Sequence, residues 1–140
     1  MPYRIAEPSL AVLKSLREAY FTAECAISAL GNVTVINAAD PCINQEIFRS
    51  AQELIRSCNQ LMTVGCQELG VVPTLCKVPG PALTRHSGLF NGTPAVDWAR
   101  SIGIRVRLRR VLGTIRRLLN LHTPQGAKEV LAGLPNPRLR

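Results

Sequence analysis

The chain has 140 residues, a single-domain length, and only 4% of them are aromatic, so a core has to come from Leu, Ile, Val and Ala; that suits packed helices better than a β-sandwich. The formal charge of +8 is uneven. Residues 1–80 hold Arg4, Lys14, Arg17, Arg49, Arg56 and Lys77 against seven acids, whereas residues 81–140 hold eleven basic residues against Asp97 and Glu129, so a basic partner surface belongs to the C-terminal part.

Five cysteines form no C-x-x-C pair, and only His86 and His122 could join them, so no zinc-ligand spacing exists. No run of 18 apolar residues occurs, and no charged segment followed by an apolar one opens the chain. The thiols are therefore expected to be reduced and the protein intracellular and cytoplasmic.

In chain order, Leu13, Leu16, Tyr20, Ala23, Ile27 and Leu30 recur at spacings of 3 and 4, which draws one helical stripe, with Gly31 and Asn32 as a left-handed C-cap. A second helix is expected from Asp40-Pro41, an N-cap followed by a first-turn proline. Its stripe is Ile47, Ala51, Leu54, Cys58 and Leu61, and Phe48, Ile55, Met62 and Leu69 form a neighbouring row. So broad a face needs more cover than a hairpin supplies, either from C-terminal helices or from a second copy in a four-helix bundle. Its polar side alternates Glu46, Arg49, Glu53 and Arg56.

Prolines and glycines from Gly70 to Asp97 predict a linker or irregular loop. Thr93-Pro94 can open a short helix through Trp98 and Arg100. Over 104–119, Ile104, Leu108, Val111, Ile115 and Leu118 form an apolar stripe bordered by Arg105, Arg109 and Arg116 on one side and Arg107, Arg110 and Arg117 on the other. Gly113 in its middle costs about 1 kcal/mol relative to Ala. Thr123-Pro124 offers another N-cap for a short helix ending near Gly133, and the tail frays.

Neither a P-loop, a dinucleotide fingerprint nor an activated nucleophile is present, and His86 reads as a loop histidine, so the chain is read as a binding protein without cofactor or metal. Fourteen arginines to three lysines favour ligands that accept paired hydrogen bonds from a guanidinium, phosphates above all. With no aromatic residue in 104–119, base stacking on single strands is not expected, and a duplex backbone is the better nucleic-acid target. Anionic lipid headgroups fit the same pattern.

Two N-terminal helices, a proline-marked exit at Val71-Val72-Pro73 and a charged C-terminal part follow in that order. Together with the local sequence Ala39-Asp40-Pro41-Cys42-Ile43-Asn44-Gln45-Glu46-Ile47, this resembles the small double-stranded-RNA-binding silencing suppressors of nodaviruses over about residues 8–80. The resemblance implies a homodimeric four-helix bundle lying along one face of a duplex, touching phosphates and 2′-hydroxyls without reading bases. In that family basic side chains in the second half of the long helix meet the RNA. The matching stretch 58–66 has no positive charge, so the C-terminal arginines would carry part of that role.

The expected fold is all-α: an N-terminal antiparallel helical hairpin (1–70) dimerising into a four-helix bundle, a Pro/Gly-rich linker (71–97), a basic amphipathic C-terminal helical segment (98–134) and a tail (135–140). The expected function is that of a viral accessory protein: sequence-independent binding of double-stranded RNA that suppresses host RNA silencing. The alternative is a protein that binds an anionic membrane surface or a partner helix through 104–119. The candidate contacts are Lys14, Arg17, Arg49, Arg56, Arg105, Arg107, Arg109, Arg110, Arg116 and Arg117.

Overall fold

The computed structural model describes residues 10–34, 43–82 and 93–122. They form α1 (Leu10–Leu30), α2 (Ile43–Leu69) and α3 (Thr93–His122), with no strand among the described residues. The expected helix start at Asp40-Pro41, the loop histidine His86, the Thr123-Pro124 helix and the tail lie outside the described residues.

The helix α1 is central, and both other helices pack on it. Its deepest residues are Leu13, Leu16, Ala19, Ala23, Ala26 and Leu30, while Tyr20 and Ile27 of the expected stripe are half-buried at its margin. Opposite α1, α2 runs antiparallel: Thr34 meets Asn44, Ala19 meets Cys58 and Leu16 meets Gly65. The buried Asn44 ties the start of α2 to the residues just after α1 by accepting from the Thr34 N–H (3.1 Å) and donating to the Thr34 carbonyl (2.9 Å).

The end of α1 differs from expectation. No residue there adopts the left-handed conformation, since the positive φ belongs to Gly70. Instead the helix tightens, with Asn32 N–H bonded to the Ala29 carbonyl and Val33 N–H to that of Leu30, which satisfies terminal carbonyls by shorter-range bonds. The left-handed exit serves α2. There Gly70 (φ 72) donates to Gln67 and Val71 donates to Cys66, the paired bonds of a Schellman cap.

On α2, Phe48, Ala51, Ile55, Cys58, Met62 and Cys66 are fully buried, and Ile47, Leu54 and Leu61 sit half-buried at the edge. The centre of the face thus falls between the two expected rows, with Ala51 and Cys58 from the stripe and Phe48, Ile55 and Met62 from its neighbour, because α2 is covered on two sides. The second cover is the extended strap 71–82, which returns along α2. Asn59 grips it by donating to the Cys76 carbonyl (2.7 Å) and accepting from the Cys76 N–H (3.0 Å), and Gln52 donates to the Pro79 carbonyl (3.0 Å).

The stretch 71–97 is therefore not one linker: 71–82 is part of the packing, and α3 starts at Thr93. α3 continues without interruption to His122, joining what reads as a short helix to the 104–119 segment. A Cβ at Gly103 or Gly113 would meet nothing within 4 Å, so both glycines lie on the exposed side and their cost is local propensity alone. α3 runs antiparallel to α1, with Arg105 near Gly31 and Arg116 at Tyr20.

Candidate phosphate-binding surface

The charged surface is positioned by the stripe beneath it. Ile104, Leu108, Val111 and Ile115 are buried against the hairpin and Leu118 is half-buried, so the flanking arginines are held on a helix that cannot roll without exposing apolar area. Arg107, Arg109, Arg110, Arg116 and Arg117 are exposed, and Arg105 is half-buried. The one acid of α3, Asp97, is fully buried.

The arginines divide into those tied to other elements and those facing solvent. Arg105 donates through Nε to the Ser101 carbonyl (3.3 Å), and its Nη1 lies 3.7 Å from where a Gly31 Cβ would stand. It thus supplies a cation to the C-terminal end of α1, whose own last turn has no basic residue. Arg116 donates to the Tyr20 hydroxyl at 2.6 Å and lies 5.7 Å from its ring centroid. Arg109 and Arg116 line an open cleft of about 430 Å³ between α3 and α1, floored by Leu112 and Ile27 and edged by Tyr20, Glu24, Ser28 and Gly113. Arg107 stands near the strap, where its charge partly offsets the upward push that burial gives the Cys76 thiol. Arg110 and Arg117 complete the outer row, with Arg117 reaching the Thr114 hydroxyl at 3.5 Å.

Of the candidates on the hairpin, Arg17 lies one turn before Tyr20, on the α1 edge that faces α3, and Lys14 is a further turn away and exposed. Both share the end of the molecule occupied by Arg116 and Arg117. Arg49 and Arg56 do not join them. They are exposed on α2, three residues before the strap-binding Gln52 and Asn59, with the strap between them and α3.

Arg100 belongs to the same basic helix but serves the fold. It donates to the Pro81 carbonyl (2.9 Å) and the Gly80 carbonyl (3.2 Å), stands 3.5 Å from Asp97 and lies 4.9 Å from the Phe48 ring centroid. One side chain thereby joins α3, the strap and α2. Sequence reasoning also passes over Tyr20 as a polar partner and over Trp98, Ile102 and Val106, whose four-residue spacing marks a second, exposed row on α3.

Among the described residues no group of three His, Cys, Asp or Glu side chains could hold a metal ion, and no helix is long and apolar enough to cross a membrane. Comparison with protein-family models, with curated proteins and with solved structures finds nothing that matches this chain.

Proposed function

We propose that this protein binds double-stranded RNA through the phosphate backbone, without reading bases, and in doing so shields duplexes from the enzymes of host RNA silencing. The observation that carries the reading is the basic surface of α3: five exposed arginines between positions 107 and 117, with Arg109, Arg110 and Arg117 on the outward side, Arg107 and Arg116 at its edges, and the helix's single acid buried. Guanidinium groups spread over about 15 Å of a rigid helix suit a row of phosphates. Arg17 and Lys14 extend the row at one end.

The same reading has two copies acting together. The α2 edge made by Ile43, Ile47, Leu54 and Leu61 remains partly exposed beside α1 and supports pairing of two hairpins into a four-helix bundle. That face is separate from the one α3 covers.

A gel shift with long duplex RNA over a salt series tests the proposal. With about five phosphates neutralised, log K falls with log salt at a slope of about −4.5. Arg109→Gln, Arg110→Gln and Arg117→Gln together lower the slope by about three, with folding intact because all three side chains are exposed. Absence of binding at about 100 mM salt, or a preference for single strands, overturns the reading.

A further inference from the structure

The solvent side of α3 changes character along its length. Opposite the buried Asp97, Ser101, Ile104 and Leu108, the first half of the helix turns outward Ala95, Ala99 and Gly103 with Trp98, Ile102 and Val106 beside them, while the exposed Arg107 stands at the edge near the strap. Trp98 is 45% exposed, Ile102 37% and Val106 43%. On the same side, the second half presents Arg109, Arg110, Gly113 and Arg117. Trp98 to Arg117 spans about 28 Å along the axis, so both halves can meet one flat surface together.

We infer that this side of α3 docks on an anionic phospholipid bilayer, with Trp98, Ile102 and Val106 entering the boundary between headgroups and acyl chains and Arg109, Arg110 and Arg117 meeting lipid phosphates. Charge complementarity selects the occupant. A second copy of this surface would bring an apolar face but no anion, since Asp97 is buried and α3 has no other acid. A polyanionic nucleic acid would pair with the arginines and leave Trp98, Ile102 and Val106 wet. A bilayer with anionic lipid supplies both an apolar phase and phosphates, and tryptophan favours that interface. Long arginine side chains reach the headgroup level while their stems lie on the apolar part. The inference does not rest on RNA binding, because the apolar half of α3 takes no part in that reading.

Trp98 is the single tryptophan of the chain, so its fluorescence reports this surface alone. The full-length protein is titrated with phosphatidylserine–phosphatidylcholine vesicles and, separately, with pure phosphatidylcholine vesicles. The expected result is a blue shift of Trp98 emission with the anionic vesicles, quenching by lipids brominated in their acyl chains, and reversal by salt. Ile102→Ser combined with Val106→Ser weakens vesicle binding by about tenfold or more. The same variant keeps its affinity for duplex RNA within about twofold. Failure of the RNA gel shift leaves this result standing, and the reverse also holds. Unchanged emission with anionic vesicles, or an equal shift with neutral ones, overturns the inference without recourse to any variant. So does an emission already blue-shifted before vesicles are added, since the face would then be covered within the protein itself.

Discussion

The two seams that α1 makes are built from different materials. Toward α2 it turns alanines and Leu16, and backbones come close: a Cβ at Gly65 would lie 2.8 Å from a Leu16 methyl, and the Cys58 thiol donates to the Ala19 carbonyl at 3.4 Å. Toward α3 the base of the seam is apolar, but its outer edge is an open cleft bordered by Arg109, Arg116 and Tyr20. The first seam excludes water along its length, and the second does so only underneath. Stability therefore concentrates in the hairpin, and α3 is held by its apolar stripe and by the contacts of Arg100, Arg105 and Arg116, with its other side exposed.

The largest expected effect is at the dry seam. Leu16 has no exposed surface, and Leu16→Ala leaves a cavity against Gly65 that two packed helices cannot close, costing about 2–5 kcal/mol. In the reverse sense, Gly65→Val forces a Cβ and two methyl groups against Leu16 and costs about 1–3 kcal/mol. Urea midpoints measure both. If Leu16→Ala moves the midpoint no more than exposed-site variants do, the contrast between the seams is lost.

Next in size is the strap. Asn59→Ala removes both partners of the buried Cys76 backbone, leaving an N–H and a carbonyl without protein hydrogen bonds at a cost of about 1–3 kcal/mol. Peptide hydrogen exchange distinguishes loss of the strap from global unfolding, and faster exchange confined to 71–82 is the expected pattern. Faster exchange through α1 as well would tie the strap to the hairpin and blur the comparison.

A pH dependence follows from the thiols. Burial, with a smaller contribution from Cys76, pushes the Cys58 thiol up to about 11 from 9.0, and burial raises Cys66 and Cys76 as well. The folded state thus prefers the neutral thiols. Their contribution is fully present below pH 9, the unfolded value, and is lost as pH rises from there through about 11. Thermal midpoints are expected to fall over that alkaline window. In Cys58→Ala the fall is shallower, and equal falls in the two proteins would remove Cys58 as the cause.

How far the sequence reveals this depends on whether a feature is periodic. The stripes of α1 and of 104–119 are legible because one helix covers one face, and spacings of 3 and 4 report that directly. The centre of α2 is harder to read, since cover on two sides widens the apolar arc and Phe48, Ile55 and Met62 compete with Ile47, Leu54 and Leu61. Packing of the strap is invisible locally: its prolines erase periodicity, and what holds it is a hydrogen-bond pair from Asn59, seventeen positions away. Arg100 and Arg107 look equivalent as arginines in one basic helix. They differ because carbonyls of Gly80 and Pro81 and the Phe48 ring stand where Arg100 reaches.

The smallest effect belongs to the open seam and completes the contrast. Tyr20→Phe deletes the hydroxyl that accepts from Arg116 but leaves an aromatic ring under the guanidinium. Arg116 is exposed, so water replaces the lost acceptor and the expected cost is within about 0.5 kcal/mol. Affinity for phosphate-bearing surfaces is expected to stay level or rise slightly, because a guanidinium no longer bonded to Tyr20 turns more readily to a phosphate. Tyr20→Ala goes further by removing the half-buried ring from the edge of the core, and costs more. If Tyr20→Phe lowered stability as much as Leu16→Ala does, the Arg116–Tyr20 contact would be a latch as important as the dry seam. The arginine row would then belong to the fold before any partner.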